Sequence, residues 1–181
     1  PLRHFTKQNV TVAVNVGMAT TEMKRSKRAA GELNKQIMDA LMNSVQQWTE
    51  SGDIGVRFIW YSDAPKQSLL FDTWPDAMNN MEESYHPRTV TNTNQTLATQ
   101  ALQLTEDSDS LMLVVPESTA YSEQDVMKKD SLGAGNILNM IDKEKVIIFA
   151  PNMERSSVEK AYNLTSTPLV ITNPDDLTDS I

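Results

Sequence analysis

The sequence predicts an α/β domain of three layers, αβα, with a doubly wound, Rossmann-type, mostly parallel central sheet and one short antiparallel edge strand. Three observations carry this. Short Val- and Ile-rich runs alternate with segments whose apolar residues recur every three or four positions, the pattern of strands joined by crossover helices. Two runs, SLMLVV (110–115) and VIIFA (146–150), are apolar but for the leading Ser110, as in strands covered on both faces. Only one pair of strands, 54–61 and 68–71, follows without a helical stretch between them, which puts the antiparallel step at an edge.

Taken in order, Val10–Val16 is a Val-rich strand. Lys24–Arg28 is a basic cluster at a helix start, read as a solvated face. Ala30, Leu33, Ile37, Ala40, Leu41, Val45 and Trp48 form one helical stripe, stopped by Ser51-Gly52. IGVRFIWY (54–61) is the second strand and SLLF (68–71) the edge strand, after a turn at Asp63–Pro65. Trp74–Tyr85 reads as a helix with Pro75 in its first turn, and its Met78 and Met81 as core filler. Further helices are expected over 95–104, 122–129, 134–142 and 156–163, a short strand at Leu169–Thr172, and the start of a final helix at Asp175–Ile181.

Length and composition fit a single domain spanning 1–181. Because the chain starts at Pro1 rather than Met, we read it as a domain cut from a larger protein. A formal net charge of −8 without a basic stripe argues against nucleic acid. No apolar run approaches the ~18 residues of a membrane helix, so no membrane insertion of this domain is expected. There is no cysteine, which excludes disulfides and thiol chemistry. Asn9, Asn94 and Asn163 head N-glycosylation sequons, about as many as chance gives, and lean only slightly toward an extracellular chain. His4 and His86 have no catalytic motif around them, and no nucleophile elbow or phosphate-binding glycine loop occurs.

Four stretches, in order, resemble the von Willebrand factor A family: VTVAVNVGMA (10–19), VRFIWYSD (56–63), VTNTNQTLATQAL (90–102), and VIIFAPNM (146–153) through TPLVITNPDDLTDSI (167–181). The resemblance spans Val10–Ile181 and implies a cell-adhesion fold whose strand-end loops hold a magnesium or manganese ion in a metal-ion-dependent adhesion site. In that pattern the ion's Asp-x-Ser-x-Ser falls on Asn15, Gly17 and Ala19. The second-loop Thr falls on Thr91, and the last Asp on Pro116. Only Thr91 keeps its chemistry, and both carboxylates are gone, so the resemblance implies a degenerate site with metal binding absent or weak. A weak altered site of Asn15, Thr91 and Glu117 is the alternative, while Thr91 and Thr93 also suit loop bonding and helix capping.

The expected function is a non-enzymatic adhesion or scaffold domain without cofactor. Its partner is expected to be an extracellular-matrix or cell-surface protein, with self-association as a further reading and an extracellular or cell-surface location. The competing reading is an α/β enzyme or nucleotide- or anion-binding domain using the same loops.

Overall fold

The protein was analysed as a computed structural model, which describes residues 8–18, 27–61, 65–84, 88–89, 108–114, 145–151, 154–161 and 169–181. The strands are β1 (Gln8–Asn15), β2 (Gly17–Met18), β3 (Ile54–Tyr61), β4 (Pro65–Phe71), β5 (Arg88–Thr89), β6 (Ser110–Val114), β7 (Lys145–Phe149) and β8 (Leu169–Ile171). The helices are α1 (Lys27–Glu50), α2 (Trp74–Ser84) and α3 (Arg155–Ala161). The helices expected over 95–104, 122–129 and 134–142 lie outside the described residues.

Six strands form the main sheet in the order β4-β3-β1-β6-β7-β8. Every pairing is parallel except β3–β4, so the antiparallel strand is at an edge as the sequence predicts. β4 is longer than expected. It starts at Pro65, which faces Tyr61, a first-strand position where the missing N–H costs little. A register shift lies between Arg57 and Ile59; there the Phe58 N–H donates to Ser68 Oγ at 2.8 Å, so a side chain fills the gap in the ladder.

Both faces of the sheet are buried. Val10, Val12, Val14, Val56, Phe58, Met112, Ile147 and Phe149 join one cluster with Ile37, Leu41, Val45 and Trp48 of α1. The alternate residues Ala13, Ile59, Leu111, Leu113 and Ile148 are also fully buried. Three layers follow from this alternation.

α1 starts at Lys27, inside the basic cluster, and presents its apolar stripe to the sheet. It stops where expected: Gly52 takes φ +79°, open to glycine without strain, and its N–H donates to Thr49 O at 3.2 Å. At the start of α2, Thr73 Oγ1 donates to Asp76 Oδ2 at 2.9 Å, and the Ala77 N–H donates to Thr73 O at 3.2 Å as the first helical bond.

The end of the chain corrects one expectation. Instead of an α-helix over Asp175–Ile181 there are two 3-10 turns, Pro174–Asp176 and Thr178–Ser180. Asn173 caps the first, its side chain accepting from the Asp175 N–H at 3.1 Å. The segment is then pinned to α1: Trp48 Nε1 donates to Thr178 O at 2.9 Å, the Ser44 and Thr178 hydroxyls pair at 2.8 Å, and Leu177 is fully buried. The tighter 3-10 repeat lets these side-chain bonds outweigh α-helical pairing over so short a run. Trp48→Phe keeps most of the packing and removes the indole donor. It is expected to cost about 1 kcal/mol and to raise the exchange rate of the Ser180 N–H, which bonds Leu177 O at 3.1 Å. Native-state hydrogen exchange reads both effects.

Candidate functional site

The strand order locates a crevice before any residue chemistry is considered. From β1 the chain builds outward to β3 and β4, then returns to place β6 on β1's other side and continues to β7 and β8. The winding reverses between β1 and β6. In open α/β sheets, ligands bind outside the carboxyl ends of the strands at such a switch point.

The register fixes what stands there. Asn15 pairs with Tyr61, and Val14 with both Trp60 and Val114. Past Asn15 the chain leaves the main sheet and forms a second, two-stranded sheet, with Gly17 opposite Arg88 and Met18 opposite Thr89. The first loop is thereby tied to the segment that leads into position 91, and β6 ends beside β1 just before position 116. Asn15 is thus the last residue of β1 and Gly17 the first of β2, on either side of the point where the chain leaves the main sheet. Ala19, Thr91, Pro116 and Glu117 lie outside the described residues, as do Asn94 and Asn163.

The small sheet was not legible in the sequence: two residues per strand are too few for any periodicity to register. Asn9, by contrast, lies at the opposite end of the sheet. Its N–H donates to Asp109 Oδ2 at 2.8 Å, and Thr11 of the same sequon is fully buried with its hydroxyl on Ser108.

The chemistry of the described crevice is sparse. Residues Asn15 to Met18, Arg88, Thr89 and Val114 include no carboxylate. Among the described residues no three His, Asp or Glu side chains come together to hold an ion. A hard divalent cation needs an oxygen cage, with carboxylates offsetting the cost of its lost water. An amide at 15 and a bare backbone at 17 do not fit that need. A separate open cleft of 640 Å³ runs between α1 and the chain end, lined by exposed Lys35, Asp39, Asn43, Asn173 and Asp175; it does not reach the crevice residues.

The vWF domain of the type V pili tip protein Mfa5 from Porphyromonas gingivalis superimposes with a TM-score of 0.60, at 7% identity, over 97% of this chain and 93% of that one. The fold is that of a von Willebrand factor A (VWA) domain. The same VWA-type arrangement matches a point mutant of the PilB minor pilin from Streptococcus sanguinis (TM-score 0.59, 11% identity, 99% of this chain) and the pilus adhesin SpaC from Lactobacillus rhamnosus GG (0.54, 9%, 95%). The chain spans 60% of the PilB structure and 29% of SpaC. No protein-family model matches the sequence, and no curated protein matches it either. At these identities the likeness establishes the VWA fold and leaves the chemistry of the crevice to its own residues. No described helix is long and apolar enough to cross a membrane.

Proposed function

We propose that residues 1–181 form one non-enzymatic protein-binding or scaffold domain of VWA type, belonging to an extracellular or cell-surface protein. It engages its partner through the strand-end crevice and does so without a metal ion. The observation that carries this reading is the crevice itself: a switch-point site whose first loop offers Asn15 and Gly17 where a cation site would need acid and hydroxyl. The replacements at Ala19 and Pro116 point the same way. The company of the fold supports the adhesion class, since the solved structures it matches include a minor pilin, a pilus tip protein and a pilus adhesin. The partner is a matrix or cell-surface protein, with self-association a further reading. Of the candidate glycan sites Asn9, Asn94 and Asn163, Asn9 is the least suited, because it lies in central β1 and its sequon Thr11 is fully buried.

The competing reading, an α/β enzyme or nucleotide binder, makes a different prediction. Isothermal calorimetry with ATP, GTP and NAD should give no binding heat up to millimolar nucleotide. Micromolar binding of any of them would overturn the protein-binding reading, because such affinity needs a built phosphate site.

A further inference from the structure

β4 closes one edge of the main sheet, and among the described residues no strand pairs with its outer side. An edge strand with free backbone groups and apolar side chains is a template for another strand. β4 carries two of the three exposed large apolar side chains among the described residues, Leu69 and Leu70, and Leu69 is 79% exposed.

The backbone of β3 decides which β4 groups face outward. The Phe58 N–H points to β4, donating to Ser68 Oγ, while Asp53 O accepts from the Gln8 N–H on the β1 side. These directions alternate along a strand, so Val56, Phe58 and Trp60 bond toward β4, and Gly55, Arg57 and Ile59 toward β1. Phe71 and Lys66, opposite Val56 and Trp60, therefore bond inward. Leu70 and Gln67, opposite Arg57 and Ile59, turn their N–H and C=O to the free edge. In a regular strand, residues three apart point to opposite sides. The register shift between Arg57 and Ile59 puts these two on the same side.

That spacing is self-complementary. Two β4 strands set antiparallel about a two-fold axis between Ser68 and Leu69 place Gln67 opposite Leu70 of the second copy, outward groups against outward groups. Leu70 likewise meets Gln67 of the copy, and both Leu69 residues lie beside the axis. Pro65, opposite Tyr61, falls across from Asp72 of the copy and needs only to accept, so its missing N–H costs little. Charge fits as well. Lys66 is the one charged residue of β4, Asp72 and Asp76 follow the strand, and no Lys or Arg occurs from 67 to 84. Antiparallel pairing brings the basic start of each strand to the acidic end of the other.

We propose that β4 pairs with β4 of a second copy of the chain, joining two six-stranded sheets across a two-fold axis. The proposal rests on the protein-binding reading above and gives its self-association a surface at the sheet edge. A strand of seven residues is ~24 Å long and offers less than the ~800 Å² per partner of a standard interface. The dimer is therefore reversible at micromolar chain.

Sedimentation equilibrium of the native chain from low to high micromolar concentration should show monomer and dimer and nothing larger, because a two-fold pairing is closed. Leu69→Lys should weaken the dimer about tenfold or more by placing like charges beside the axis. Gln67→Pro, which removes an outward N–H that β3 does not use, should weaken it to a similar extent. Lys66→Asp should weaken it too, and Asp72→Lys in the same chain should restore most of the loss. Leu169→Lys, at an exposed site on the far edge strand β8, should change nothing. Thermal melts check folding, and if Gln67→Pro does not fold, Leu69→Lys and the Lys66–Asp72 exchange decide the matter.

A native chain that stays monomeric, growth beyond a dimer, a dimer that tolerates Leu69→Lys, or one lost through Leu169→Lys overturns the proposal. The first result leaves the crevice to bind a different protein, and the last two leave self-association through another face. Micromolar nucleotide binding would instead sink the protein-binding reading itself.

Discussion

Phe58→Ala should lower the unfolding free energy by about 3–5 kcal/mol, a large part of the 5–15 kcal/mol typical of a domain. Phe58 is fully buried in the middle of β3. Its ring stacks on Trp60 with centroids 5.2 Å apart and lies 6.3 Å from Phe71. These neighbours cannot close the gap easily. Trp60 is held by its indole N–H on Asn80 Oδ1 at 2.9 Å, and Phe71 is fixed by its pairing with Val56. The cavity left by the ring therefore persists, and cavity and lost transfer energy add. Equilibrium urea unfolding with both midpoint and slope measured reads the loss. Leu69→Ala, at a site 79% exposed on the edge strand, serves as the matched comparison and should move stability by less than about 0.5 kcal/mol. A Phe58→Ala loss below about 1 kcal/mol would contradict the packing described for this side of the sheet.

The second large effect is a gain. The variant Asn15→Asp/Gly17→Ser/Ala19→Ser/Pro116→Asp should bind magnesium or manganese where the native chain does not. Two added carboxylates and two added hydroxyls, with Thr91 retained, give a hard cation the anionic oxygen ligands it requires. Saturation at about 100 times the dissociation constant stabilises a folded chain by about 2.7 kcal/mol, which for a chain this size raises the melting temperature by about 5–10 °C. Differential scanning fluorimetry with and without the ion measures this. Thr91→Ala in the same variant should take most of the gain away, as the loss of a ligand does.

Much of the fold was legible because long elements write their period into the chain. The α1 stripe Ile37, Leu41, Val45 and Trp48 is buried as its spacing requires, and the unbroken runs of β6 and β7 are buried on both faces. Short elements were not legible, for two reasons. The β2–β5 sheet has two residues per strand and rests on long-range pairing, which leaves no local signal. The chain end carries a helix-like acidic start at Asp175-Asp176, but tertiary bonds from Trp48 and Ser44 hold it in 3-10 turns, an override that no local pattern announces. At the site, the sequence reading places Asn15 and Gly17 in the first loop, whereas Asn15 closes β1 and Gly17 opens β2. It could not show that Arg88 stands across from Gly17, since 71 residues separate them.

Metal independence is the central claim, and a calorimetric titration of the unaltered chain with magnesium and then manganese tests it most directly. The account predicts no saturable heat up to about 10 mM ion, weaker than the ~4 kcal/mol that a millimolar site would supply. Saturable binding at millimolar or lower concentration, abolished by Thr91→Ala, would contradict it and restore the ion to the crevice.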